Sequence, residues 1–95
     1  MKFAWDPNKN RKLKEERHIS FEEIVEAILL GHTIDVADHP NKTRYAHQKI
    51  FLVLIRDYIY MVPCVETKEG YFLKTIIPNR KLTKEFLSER NGHEN

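Results

Sequence analysis

The chain has 95 residues, of which 41% are hydrophobic and 32% are charged, and this composition excludes an intrinsically disordered protein. Its length predicts a single domain over residues 1–95. The net charge is only +2, so an interface for nucleic acid would depend on local clusters of cations rather than on the field of the whole molecule.

Cysteine usage and apolar runs predict a soluble, cytoplasmic protein. Cys64 is the only cysteine, and its apolar surroundings in the sequence predict a buried, inert thiol. The N-terminal segment has no apolar run typical of a signal peptide, and the longest such run, from Ile50 to Ile55, is too short to span a bilayer. The five histidines show no metal-ligand spacing, so we expect neither a metal nor another cofactor.

The N-terminal residues predict a strand and then an exposed helix. Residues 2–5 alternate as a short strand does. Asp6 and Pro7 are typical of an N-cap and a first helical position, which predicts a helix over 7–17. Leu13 is its main apolar anchor.

A second helix has the clearest pattern in the chain. Ser20 and Glu23 form a capping box, and apolar residues recur behind them at helical spacing. Gly31 is well placed to end the helix in the left-handed conformation. The pattern predicts a helix over 21–30.

The remaining segments predict an antiparallel meander. Four β-branched and aromatic runs indicate strands at 33–37, 48–56, 58–66 and 71–77. Pro63 lies within the third run, where it cannot donate to a ladder, so we expect a bulge or an edge position there. Residues 81–90 predict a short helix, and 91–95 a frayed tail. This order predicts an α+β fold with its helices on one face of the sheet.

Cations and aromatic residues alternate along the second half of the chain, which is typical of a single-stranded RNA interface. The candidates for binding RNA or acting on it are Arg44, Tyr45, His47, Lys49, Tyr58, Lys74, Arg80, Lys81 and Lys84. The alternative is a solvated surface with core tyrosines. Strand alternation also places Phe72, Lys74 and Ile76 on one face. Lys49 and Lys74 have a further alternative, in which the aliphatic stem covers the core while the amine reaches water.

The stretch IIPNRKLTKEFL puts three cations where the last helix begins. Cations at a helix N-terminus oppose the helix dipole unless an anion lies among them, and the backbone N–H groups there also bind anions. Arg80 can hold a phosphate with two hydrogen bonds, while Lys81 and Lys84 add charge. Alternatively, these side chains point outward at a small cost in stability.

Three motifs along the chain resemble those of the BrnT-like toxins of bacterial type II toxin–antitoxin modules: MKFAWDPNK, HISFEEIVEAI and IIPNRKLTKEF. The resemblance implies a RelE-like fold, with two N-terminal helices on one face of a meander sheet, and a ribonuclease that inhibits translation. It also implies a cognate antitoxin as partner in a hetero-oligomer, with operator DNA contacted only through the antitoxin.

The resemblance further implies RNA cleavage without a metal, in which the ribose 2′-hydroxyl attacks the adjacent phosphate. Arg80 stands at the family's arginine position and would stabilise the phosphorane. His47 or Lys49 would act as base or acid, since imidazole is the side chain best suited to proton exchange at neutral pH. Lys81 and Lys84 would position phosphates.

Two other classes of function remain open from the sequence. The first is a non-catalytic module that docks an antitoxin and takes part in transcriptional autoregulation. The second is a DNA-binding protein, which the low net charge and the lack of a helix-turn-helix spacing disfavour.

Overall fold

The computed structural model describes residues 1–91, which form an α+β fold with three helices and one mixed six-stranded sheet. The elements in chain order are β1 Lys2–Ala4, α1 Pro7–Arg17, α2 Phe21–Leu29, β2 Thr33–Asp38, β3 Gln48–Ile55, β4 Tyr58–Glu66, β5 Gly70–Leu73, β6 Ile77–Pro78 and α3 Arg80–Asn91. The predicted frayed tail begins at the last residue of α3, and residues 92–95 lie outside the described part. No helix within residues 1–91 is long and apolar enough to cross a membrane.

The N-terminal helices begin where their capping residues predicted. The Asp6 side chain accepts a hydrogen bond from the N–H of Asn8, and both bonds of the Ser20–Glu23 capping box are present. Gly31 follows α2 with a φ of 84°, a left-handed conformation that glycine adopts at little cost. These local predictions are confirmed.

The sheet has the strand order β1-β5-β4-β3-β2, and β6 pairs with β4. Strands β2 to β5 are antiparallel neighbours, which confirms the meander. β1 departs from it because it pairs in parallel with β5, a pairing that the long intervening chain permits. At Gly70 a Cβ would lie 1.9 Å from the carbonyl oxygen of Lys2, so only glycine lets β1 approach this closely.

The β3–β4 hairpin is the centre of the sheet. Its turn residues, Arg56 and Asp57, have φ values of 51° and 62°. Positive φ at both positions defines a type I′ turn, whose twist matches that of the flanking strands. The turn falls where the predicted strands 48–56 and 58–66 adjoin.

Pro63 occupies the middle of β4 without a bulge, and the predicted edge position is present on one side of the strand only. The β3–β4 register continues through the Ile50–Pro63 pair without a break. The Pro63 carbonyl instead accepts the N–H of Lys74 on the opposite side of β4. That side is a gap between β5, which pairs with 64–66, and β6, which pairs with 60–61. The proline nitrogen points to the same side, so no ladder bond is lost.

The predicted last strand, 71–77, is two short strands with a break between them. β5 ends at Leu73, and the chain leaves the ladder before β6 begins. Ile76 is completely buried, whereas Phe72 and Lys74 are exposed, so the predicted shared face for these three residues was wrong. The break matters because this segment leads directly into α3.

The main core lies between the sheet and the α1–α2 pair. Its largest fully buried side chains are Phe21, Ile19, Ile24, Leu73, Ile76, Val53, Val62 and Cys64. α3 lies against the opposite face, where Leu82 and Phe86 line a shallow groove with Leu52 and Ile59. The prediction that all helices share one face was therefore wrong.

Cys64 is buried in this core, and burial raises the pKa of its thiol from 9.0 to about 11. We expect the native protein to resist thiol alkylation at pH 8 and to react once it is unfolded in urea. Because the unfolded thiol ionises at a lower pH than the folded one, stability should fall as the pH rises from 9 to 11. Time-resolved labelling followed by mass spectrometry checks the first point. Equal labelling rates in native and unfolded protein would contradict it.

Candidate nucleic-acid interface

The start of α3 is fixed to β4 through Asn79. Its backbone N–H donates to the carbonyl of Ile59 at 2.9 Å, which continues the β6–β4 pairing by one residue. Its side-chain oxygen accepts the N–H of Leu82 at 2.9 Å, so Asn79 is the N-cap of α3. Arg80 is consequently the first helical residue, presented at the end of β6.

Thr83 holds the first turn of α3 against the sheet. Its hydroxyl oxygen accepts the backbone N–H of Ile59 at 2.9 Å, and the same hydroxyl donates to the carbonyl of Asn79 at 2.7 Å. The side chain is buried, so both bonds are shielded from water. One hydroxyl thus joins the helix start to the edge of β4.

Three exposed cations, Arg80, Lys81 and Lys84, project from this first turn. None of the ion pairs formed among residues 1–91 includes any of them. Asn79 already accepts the backbone N–H groups of Leu82 and Thr83, so the partial positive charge offered at the same place comes from the N–H groups of Arg80 and Lys81. The arrangement suits a phosphate anion.

Two tyrosines lie beside the strand that leads to Arg80. Tyr60 pairs with Pro78 of β6, and the Tyr58 and Tyr60 rings are 5.4 Å apart at their centroids. Tyr60 packs against the main core, as the core-tyrosine alternative predicted, and burial raises the pKa of its phenol. At neutral pH it is therefore a hydrogen-bond donor and not a base, while Tyr58 keeps a half-exposed ring.

Arg17 also lies at this end of the molecule, although its place in the sequence does not point to a role there. Its guanidinium Nη1 donates to the carbonyl oxygen of Ile76 at 2.6 Å. A cation in the last turn of a helix already has an ordinary explanation in the helix dipole, so the sequence held no signal for the second role. Arg56 also lies here, 3.0 Å from Glu23, beside the tyrosine pair.

The other predicted residues lie at the far end of the β3–β4 hairpin. The ring of Tyr45 packs on His39 with centroids 4.2 Å apart, and the Arg44 guanidinium lies 5.4 Å from the centre of the Tyr45 ring. His47 is exposed at the start of β3. These side chains make an aromatic and basic cluster that is separate from the cations at the start of α3.

Lys49 at this far end is held in an ion pair. Its Nζ lies 2.5 Å from an Asp38 carboxylate oxygen, and this hydrogen bond raises the pKa of Lys49 and lowers that of Asp38. The amine therefore stays protonated and is a poor base. Lys49 pairs with the buried Cys64 on the core face, so its aliphatic stem borders the core, as the alternative for this residue predicted.

The structure does not bring Arg80 together with His47 and Lys49. The carbonyl of His47 accepts the N–H of Glu66 at the end of β4. Asn79, directly before α3, donates its N–H to Ile59 near the beginning of β4. Seven residues of extended chain separate these two positions by about 23 Å, and a base must lie within about 3 Å of the proton it removes. One active site cannot contain both His47 and Arg80.

Lys74 lies between the two ends and belongs to neither cluster. It is exposed, and its backbone N–H is bonded to Pro63, about four residues along β4 from the level of Arg80. The alternative in which the aliphatic stem covers the core does not describe Lys74, because the residue follows the end of β5 outside the buried layer.

The geometry places exposed cations and the N–H groups of a helix start at one end of an α+β fold, with Tyr58 and Tyr60 on the neighbouring strand, as a candidate surface for an anion. Among residues 1–91 no group of three or more His, Cys, Asp or Glu side chains could hold a metal ion. No protein-family model, curated protein or solved structure matches the chain.

Proposed function

We propose that the protein is the toxin of a type II toxin–antitoxin module, with a RelE-like fold, and that it cleaves RNA without a metal to inhibit translation. The observation that carries this proposal is the first turn of α3. Arg80, Lys81 and Lys84 are exposed there and outside every ion pair among the described residues, around the N–H groups of a helix start. The resemblance to BrnT-like toxins supplies the chemistry.

In the proposed reaction the ribose 2′-hydroxyl attacks the adjacent phosphorus and the 5′-oxygen leaves. This produces a 2′,3′-cyclic phosphate on one fragment and a 5′-hydroxyl on the other. Arg80 stabilises the charge that develops on the phosphorane, and Lys81 and Lys84 hold neighbouring phosphates. Tyr58 offers a half-exposed ring for stacking on a base.

Proton transfer in this reaction belongs to the α3 end of the molecule. The phenol of Tyr60 stays protonated there and can donate a hydrogen bond, but burial raises its pKa and so disfavours it as the acid or base of the reaction. His47 and Lys49 take no part in the chemical step, since their distance from Arg80 is too great. They and the Arg44–Tyr45 pair form a separate basic surface.

A second candidate function is a non-catalytic module that docks an antitoxin and regulates transcription with it. The observation that favours it is the sheet face opposite α1 and α2, which α3 covers only in part. An antiparallel sheet with one solvated face normally carries polar residues there. This face instead carries Ile50, Leu52, Met61, Pro63, Val65, Phe72 and Ile77. Phe72 and Ile77 are each 39% exposed, so the face also suits the antitoxin partner of the first proposal.

The two candidates are separated by purified protein freed of any antitoxin and incubated with end-labelled RNA. We expect cleavage that persists in EDTA and leaves 2′,3′-cyclic phosphate ends, measured by gel electrophoresis and mass spectrometry. The assay is repeated with translating ribosomes, because a ribosome-dependent enzyme would be silent on naked RNA. Absence of cleavage in both settings would refute the ribonuclease and favour the docking module.

A further inference from the structure

The segment between β5 and β6 decides where Arg80 lies, yet it has few backbone bonds of its own. The N–H of Lys74 makes the last bond before the break, and β6 contributes only two paired residues after it. Ile76 between them is fully buried, which fixes its side chain but not the orientation of its peptide groups. A further contact is needed to orient this backbone.

The Ile76 carbonyl receives that contact from α1, 59 residues earlier in the chain. α1 itself is anchored by Leu13 and by the buried Asn10, whose side-chain oxygen accepts the N–H of Phe21 at 2.8 Å. The helix ends at Arg17 because His18 adopts a left-handed conformation with φ of 55°. A rigid support thus presents the guanidinium at a fixed position.

We propose that Arg17 is a positioning residue for Arg80, acting through the Ile76 carbonyl; this inference rests on the proposed function. The contact fixes the chain where it leaves the core. The next residues pair with β4, Asn79 caps α3, and Arg80 follows four residues after Ile76. A shift of the carbonyl therefore displaces Arg80 relative to the phosphate.

The chemistry of the contact favours arginine over lysine. A charged donor gives a shorter and stronger bond to a carbonyl than a neutral donor does, and the Arg17–Ile76 contact of 2.6 Å is correspondingly close. None of the ion pairs among residues 1–91 includes Arg17, so no carboxylate competes for this guanidinium. The planar guanidinium is also preorganised, which a flexible ammonium is not.

The test compares Arg17→Gln with Arg11→Gln in the full chain. Both changes remove one exposed arginine from α1, but Arg11 bonds only to the nearby Asn8 side chain. For each variant we measure the RNA dissociation constant, the cleavage rate at saturating RNA, the thermal midpoint, and amide hydrogen exchange over residues 77–83. Arg17→Lys, which keeps the charge, is included as a conservative variant.

For Arg17→Gln we expect the saturating rate to fall on the order of tenfold to a hundredfold, since a displacement of about 1 Å can cost that much. The dissociation constant should change by less than about threefold, because only one surface charge is lost. Exchange over 77–83 should accelerate selectively. Arg17→Lys should recover part of the rate, and Arg11→Gln should behave as wild type.

Three results would overturn the inference. The first is an unchanged saturating rate with a lower thermal midpoint, which would make Arg17 merely structural. The second is weaker RNA binding with an unchanged saturating rate, which would make it a phosphate contact. The third is unchanged exchange over 77–83. If wild-type protein itself does not cleave RNA, the proposed function fails, and the exchange measurement alone supports or overturns the positioning role.

Discussion

Replacing Arg80 with alanine is expected to lower the rate of RNA cleavage at saturating RNA on the order of a hundredfold or more. Removing one preorganised donor from a developing oxyanion typically costs about 10²–10³ in rate, and Arg80 supplies both a donor pair and a full charge. The residue is exposed and is not a member of the hydrophobic core, so folding should be unaffected. Single-turnover kinetics on a short RNA measures the effect, and circular dichroism checks the fold.

Two further variants sharpen this result. Arg80→Lys keeps the charge but loses the planar fork, so we expect an intermediate rate. His47→Ala removes a group about 23 Å away along the strands and should retain the wild-type rate within about threefold. The assignment of Arg80 is refuted if Arg80→Ala is fully active. An inactive His47→Ala would instead move the active site to the far end of the hairpin.

Local signals predicted much of the fold because each depends on neighbours in sequence. The capping box at Ser20 and the glycine after α2 act within one turn of helix, so their outcome hardly depends on tertiary context. Phe51 and Val53 lie two positions apart in β3 and are both buried, as strand alternation requires of residues on one face. Features that depend only on residues close in sequence were therefore predicted correctly.

Errors arose where a partner distant in sequence decides the outcome. Pro63 left a bulge or an edge position open, and the gap between β5 and β6 that decides between them is visible only in the folded sheet. The parallel pairing of β1 has the same origin, since Gly70 signals a turn in the sequence but also permits a close backbone approach in the structure. Patterns within a strand carry no information about its neighbours.

The candidate site shows the same limit. Clustering in sequence combined two groups of cations that the hairpin separates, because the length of β3 and β4 places their opposite ends far apart. The contact of Arg17 with Ile76 is the opposite case, because here the fold brings together two residues that are 59 positions apart in sequence. The sequence could predict that Arg80 lies at the start of α3. Which side chains surround it depends on the fold, which the sequence pattern does not reveal.

Thr83→Val is expected to lower the free energy of unfolding by about 1–3 kcal/mol, although the two side chains have the same shape. Valine leaves the backbone N–H of Ile59 without its acceptor in a buried setting, and it also removes the bond to Asn79. For a domain of this size, each kcal/mol lowers the melting temperature by roughly 4–8 °C. Urea denaturation and calorimetry measure both quantities.

Thr83→Ser is the matched control, because it keeps the hydroxyl and loses only a methyl group. The two variants separate the stability that Thr83 contributes through packing from the stability that it contributes through hydrogen bonds. If the hydrogen bonds dominate, serine should be the more stable variant and should preserve RNA cleavage, whereas valine should loosen α3 and reduce cleavage through the displacement of Arg80. Equal stability in the two variants would show that the hydroxyl does not hold α3 to β4. In that case Asn79 and the packing of Leu82 and Phe86 would have to supply the order on which the proposed phosphate site depends.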